Sequence, residues 1–207
     1  MRQPKIAGAE WALVPSVNIE GASISDASSS AREMRRRTSH RTGGRMPETS
    51  TPVISEENAG DREQNRRVVA QYMNTRGQDR LRRHELFTED GQGGLWTTDT
   101  GEPIIIRGRD RLAEHAVWSL KCFPDWQWTD IEIFDTQDPD QFWVECNGTG
   151  KILFPGYPEG HYENHFLHYF RFENGKIKQQ REFMNPVQQF RSLGIEVPLI
   201  VREGIPT

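Results

Sequence analysis

Long hydrophobic runs are missing from this 207-residue chain, and so is any disulfide framework. No stretch approaches the roughly 20 apolar residues that a bilayer-crossing helix needs, so neither a membrane span nor a membrane partner is expected. The two cysteines, Cys122 and Cys146, lack CxxC spacing and sit in apolar periodic segments. Buried, reduced thiols in a cytoplasmic protein follow as the expectation. Aromatic residues are scarce early: all four Tyr, all ten Phe and five of the six Trp come after residue 70. The first 60 residues are instead rich in Ser, Thr, Pro, Ala and Arg. Such a segment cannot bury enough surface to offset the ordering of its backbone. The expected organisation is therefore a disordered N-terminal extension over residues 1–60 and a single α+β domain over residues 61–207. The opening MRQPKIAGAEWALVP imitates an export signal, but Glu10 and Pro15 interrupt its apolar stretch, and export is not expected.

Positive charge is also lacking where the bulk of the chain lies. Residues 1–45 carry 8 Lys and Arg against 4 Asp and Glu, whereas the remainder carries 18 against 26. An acidic domain of this kind excludes sequence-independent nucleic-acid binding. The basic run from Arg35 to Arg45 has no interleaved aromatics and reads as solvated chain. Met46 follows it directly, which leaves two starts for the functional chain, Met1 or Met46, the residues upstream being in the second case an extension or a misassigned start.

Helical spacing appears in Asp61 to Thr75, where Val68, Val69, Tyr72 and Met73 form a stripe that Gly77 ends. A second helix, DRLRRHELF, is expected with Asp79 as its cap and with three crowded arginines, Arg80, Arg82 and Arg83. An arginine of this set that faces a cavity is a candidate carboxylate clamp. Gly91, Gly93 and Gly94 suggest a phosphate loop, but no Lys-Ser/Thr follows and the glycines lead into a strand, LWTT. The helix from about Asp110 to Phe123 puts Leu112, His115, Ala116, Ser119, Leu120 and Phe123 on one face. His115 and Ser119 then either satisfy each other in a core or line a hollow.

Strands dominate the second half: Gln127–Thr136, Gln141–Phe154, Tyr162–Glu173 and Lys176–Met184, with the hairpin signal Asn174-Gly175 between the last two. A short helix, Pro186–Leu193, closes on Gly194. Helices followed by a long meander make an α+β fold, with a pocket between the layers and an aromatic outer sheet face suited to a dimer.

Of the histidines, His165 and His168 are three apart in a strand and point to opposite faces, and His161 stands ~13 Å from His165. No metal site is expected. Ser119 lies mid-helix without a nucleophile elbow, which argues against a nucleophilic serine. In KIKQQREFM, Gln180, Glu182 and Met184 share one strand face, and Ile177, Arg181 and Phe183 the other. A cavity-facing Glu182 would have a raised pKa and could act as a general acid. An outward Glu182 would pair with a surface base such as Lys178.

Taken together, QDRLRRHELFTEDGQGGLWTTDTGEP, EHAVWSLKCFPDW, FPGYPEG, NHFLHYF and REFMNP resemble the phenazine-biosynthesis PhzA/PhzB proteins, a likeness running from about Asn65 to Thr207. The resemblance implies a cone-shaped bent antiparallel sheet with N-terminal helices across its concave face, as in ketosteroid isomerase and nuclear transport factor, assembled as a homodimer. It implies condensation of two aminocyclohexenone carboxylic acid molecules into a tricyclic phenazine precursor, with no cofactor. It implies Glu182 and His115 as the catalytic pair, with Arg83, Ser119 and Tyr162 binding substrate. Members lacking the pair are weak or inactive, and this chain keeps both residues. The competing readings are an isomerase or polyketide-type cyclase on the same scaffold, and a binding module without catalysis.

Overall fold

The computed structural model describes residues 56–204. The expected extension over residues 1–60 lies outside them, apart from the start of helix α1 (Glu56–Asn74), which begins before Asp61. A 3-10 helix (Gly77–Leu86), strands β1 (Phe87–Leu95) and β2 (Ile104–Arg107), and helix α2 (Arg109–Cys122) follow. Then come β3 (Gln127–Asp135), β4 (Gln141–Ile152), β5 (Gly160–Glu173), β6 (Lys176–Met184) and helix α3 (Pro186–Ser192).

The six strands form one curved sheet in the order β2-β1-β6-β5-β4-β3. It departs from the expected all-antiparallel sheet at one seam, because β1 and β6 pair in parallel. That pairing is open to them because the whole of α2 and the β3–β5 meander lie between them in the chain, and a parallel pair needs a long connection.

Strict alternation builds the inner wall. In β4, Phe142, Val144, Cys146, Gly148, Gly150 and Ile152 face inward, and in β5 so do Tyr162, Asn164, Phe166, His168, Phe170 and Phe172, all of them buried. Burying the six apolar side chains of this set of size Val or larger on β4 and β5, at about 1.5–3 kcal/mol each, supplies a large share of the driving force. Gly148 is obligatory at the bend: a Cβ there would fall 2.3 Å from the Trp126 ring and 2.7 Å from the Phe166 ring. Asn174 and Gly175 both take positive φ, 53° and 71°, which is the tight hairpin that this pair foretold.

Three local expectations are corrected. The arginine-rich helix is 3-10 and begins at Gly77, with no side-chain cap from Asp79. The glycines of GQGG lie inside β1, not ahead of a strand, and a Cβ on Gly94 would sit 1.9 Å from the Ile104 carbonyl oxygen of the paired β2. In β6, Ile177 pairs with Phe172 but Gln179 pairs with Arg171, so a bulge at Lys178 resets the alternation. Ile177 therefore shares the inward face with Gln180, Glu182 and Met184 instead of opposing them.

Candidate active site

Between the sheet and the helices lies a cavity of about 540 Å³, and Glu182, His115, Arg83, Ser119 and Tyr162 all line it. Each arrives from a different element, or from a different turn of one, for a local reason. The Lys178 bulge turns Glu182 inward; α2 lays its His115 and Ser119 side over the opening; β5 alternation brings in Tyr162; and the tight 3-10 winding keeps Arg80 and Arg83, three apart, on one side.

Glu182 is paired in register with His168 and Leu95, and its side chain, 27% exposed, lines the hollow. Burial raises its pKa to about 7, against the pull of the Arg83 charge. Lys178, the alternative partner for an outward Glu182, instead bonds Asp90 and Glu173.

Arg83 donates to Thr75 Oγ1 and lies 4.8 Å from the Tyr72 ring centre. Its neighbour Arg80, only 3% exposed, donates to the carbonyl oxygens of Phe123 and Ser119 and, at 2.8 Å, to Ser119 Oγ. Among the described residues neither guanidinium has a carboxylate partner within salt-bridge distance. Burial lowers both pKa values, that of Arg80 to about 10, which still leaves two cations in the wall at neutral pH. An anion entering the hollow would meet uncompensated positive charge.

Two hydroxyls are presented in the same manner. Ser119 Oγ accepts from Arg80, and Tyr162 Oη accepts from Asn164 Nδ2 at 2.8 Å. Each therefore keeps its own hydrogen to donate to a ligand. The Ser119 hydroxyl is thus held by a side chain from another element. Burial also pushes the Tyr162 phenol well above its ordinary pKa, so it stays a donor.

His115 is more open than its helical stripe suggested, since α2 faces a hollow along that side and only Leu112 and Cys122 of the helix are buried. Its ring stacks on Trp118 at 5.4 Å and 28°. Crowding by surrounding protein lowers its pKa, and the Arg80 and Arg83 charges add to this, so the imidazole is neutral at pH 7.

Tyr72, Arg80, His168 and Gln180 belong to this neighbourhood and escaped the sequence reading. Tyr72 was read as core packing, and Arg80 was one of three indistinguishable arginines. His168 could have been found, because it alternates inward with Phe166 and Phe170. The three histidines of β5 do part as expected, with His161 and His165 outward. Among the described residues no group of three or more His, Cys, Asp or Glu could hold a metal, and no helix is long and apolar enough to cross a membrane.

Comparison with known proteins bears on this geometry. The sequence model of the family described as phenazine biosynthesis protein A/B matches residues 46–207. The chain is 70% identical over 162 residues to phenazine biosynthesis protein PhzB1 of Pseudomonas aeruginosa, covering 78% of this chain and all of that one. The crystal structure of a phenazine biosynthesis-related protein from the same species is 70% identical, with a TM-score of 0.72 over 73% of this chain and 99% of that chain. A protein from Catenulispora acidiphila with a ketosteroid isomerase-like fold is 14% identical, with a TM-score of 0.52 over 62% of this chain and 93% of its own. At that identity the likeness concerns architecture alone.

Proposed function

The chain belongs to the phenazine biosynthesis protein A/B family, and from that premise we propose that it condenses two molecules of an aminocyclohexenone carboxylic acid into the tricyclic phenazine precursor, without a cofactor. One observation carries the reading: the Glu182 carboxyl, its pKa pushed up to about 7 by burial, opens into a cavity whose wall also holds two arginines that lack a carboxylate partner among the described residues. Two carboxylate-bearing rings need such a charge balance, and carbon–nitrogen condensation needs such an acid.

In the proposed reaction protonated Glu182 gives its proton to the ketone oxygen as the amine nitrogen of the second molecule adds to the carbonyl carbon. The resulting ammonium returns a proton to Glu182, which passes it to the new hydroxyl. That hydroxyl leaves as water, and the iminium releases its remaining proton to Glu182, leaving a carbon–nitrogen double bond and a protonated carboxyl; the same steps between the remaining amine and ketone form the second carbon–nitrogen bond, close the central ring and release a second water. A group titrating near the working pH suits both directions of transfer. Neutral His115 holds the reacting oxygen or nitrogen by a hydrogen bond, and Arg83 clamps a carboxylate with the Ser119 and Tyr162 hydroxyls beside it. Holding the two molecules face to face supplies much of the acceleration, since effective molarities for oriented partners reach 10⁵ M and above.

The proposed assembly is a homodimer formed through the convex sheet face. Trp143, Leu167 and Phe134 are 38%, 41% and 41% exposed there, beside Tyr169 and Phe183.

The test is turnover of the aminoketone by the wild type, Glu182→Gln and His115→Ala, with fold checked by circular dichroism. A large drop in turnover, with residual activity, is expected in both folded variants. Wild-type rates in both would remove the chemistry assigned to them, and turnover of a ketosteroid or polyketide substrate in place of the aminoketone would favour the alternative enzymes.

A further inference from the structure

Asn164 is a polar side chain on the inward face of β5 that the reaction proposed above does not use; it is buried and stands behind the cavity wall, not in it. A buried amide costs free energy unless each of its groups finds a partner. Here every one does. Oδ1 accepts from the backbone N–H of His165 at 2.9 Å. Nδ2 divides its two hydrogens between the Asn185 carbonyl oxygen and Tyr162 Oη, both at 2.8 Å, with Met184 Sδ farther off at 3.6 Å.

Two of these partners are backbone groups of set polarity, and they decide which end of the amide is which. Turning the amide over would bring Oδ1 against the Asn185 carbonyl and Nδ2 against the His165 N–H. The orientation has one solution, so Asn164 can only donate to the Tyr162 oxygen. The phenol ring itself is placed by packing, stacked on Trp126 at 5.2 Å and 29° and 6.2 Å from Phe123. What packing leaves open is the hydroxyl rotor. A phenol hydrogen prefers the plane of its ring, on one side of the oxygen or the other, and the Asn164 N–H takes one of the two places. The hydrogen occupies the other, and among the described residues nothing accepts it, although Tyr162 is only 3% exposed and lines the hollow.

We infer that Asn164 is a positioning residue that holds Tyr162 as a hydrogen-bond donor to the ligand, so that this point of the wall admits an oxygen acceptor, a carboxylate or a ketone, and rejects an ammonium. The inference rests on the substrate-binding role proposed for Tyr162 and adds the polarity which that role imposes. A bond accepted by the phenol oxygen also polarises its O–H, so the bond given to the ligand is strengthened as well as aimed. Asn185 lies three residues beyond Glu182 and caps α3, its side chain accepting from the Val187 N–H at 3.0 Å. Through Asn164 the phenol is thereby referenced to the stretch of backbone that carries the acid. A ring bound with an oxygen at Tyr162 has its amine turned elsewhere in the hollow, which sorts the two ends of an aminoketone.

The experiment is a cycle of Asn164→Leu, Tyr162→Phe and the double variant, read by calorimetry with cyclohexene carboxylate, an unreactive ring bearing the carboxylate. Asn164→Leu should weaken binding about fivefold when Tyr162 is present, within the range of one hydrogen bond, and by less than about twofold once Tyr162 is Phe. Equal losses in both backgrounds overturn the inference, since a merely structural Asn164 would act with or without the phenol; so does a wild type that does not bind the probe. The second readout needs no ligand. The infrared C–O stretch of Tyr162, identified by difference against Tyr162→Phe, should rise in Asn164→Leu, where the oxygen accepts one bond fewer. It should rise further in Asn164→Asp, to which the phenol would donate. A band that stays in place in both variants overturns the inference, and Asn164→Asp, nearly the same shape, decides it should the leucine variant fail to fold. Neither readout depends on turnover, so a wild type that fails to condense the aminoketone strikes the proposed reaction alone.

Discussion

The two faces of the β4–β6 sheet carry the same kinds of side chain in opposite physical states. Outside, His161 sits with Glu163, His165 with Glu145, and Lys178 with Asp90, each pair in contact with solvent. Inside, Glu182 and His168 face each other without a salt bridge of normal length, and burial has moved both away from their ordinary titration ranges. Water screens the outer set, so the pairs there contribute little to stability. The inner set is held in a medium that penalises charge, and there a single proton becomes a controllable quantity. One backbone alternation, corrected by one bulge, thus separates inert surface charge from the groups assigned the chemistry.

Breaking the inner set should have the largest consequence. Glu182→Gln is expected to lower kcat/KM for condensation on the order of 10³-fold, within the range for loss of a general acid or base. The same variant should be more stable than the wild type in mild alkali. In the folded protein this carboxyl holds its proton up to about 7, whereas its ordinary pKa is 4.5. Between these limits the folded state binds more protons, so wild-type stability falls as pH rises through the window. Urea unfolding at pH 8 should show a gain of about 3 kcal/mol for Glu182→Gln, vanishing near pH 4. Arg83→Ala should weaken binding of the carboxylate-bearing substrate by on the order of tenfold or more with little change in secondary structure; unchanged affinity by calorimetry would assign that guanidinium to packing on Tyr72. On the outer face, Trp143→Glu should convert the proposed dimer to monomer in sedimentation while leaving the monomer folded. Least of all, Glu163→Gln should change unfolding free energy by under about 0.5 kcal/mol at any pH, in contrast to Glu182→Gln.

Much of this division was legible beforehand. The alternation of β4 and β5 and the Asn174-Gly175 turn are local signals, and they gave the strands nearly to the residue, down to Lys176–Met184. Membership of the α2 face by His115 and Ser119 followed from helical spacing. What stayed hidden depended on partners distant in the chain. The Lys178 bulge is visible only once β6 is paired with β5, and without it the orientation of Glu182 could not be read from alternation. The parallel β1–β6 seam and the selection of Arg80 and Arg83 over Arg82 are likewise tertiary facts with no local pattern. The openness of His115 was hidden for a related reason, since an apolar helix stripe looks the same whether it meets a packed core or borders a hollow.

The central claim is that Glu182 carries the proton, and the pH dependence of kcat/KM for the aminoketone, which reports on the free enzyme, tests it most directly. The account predicts that the wild-type rate falls on the alkaline side with a midpoint near 7, and that this limb is absent from the residual activity of Glu182→Gln. An alkaline limb of the same midpoint in both proteins would contradict it.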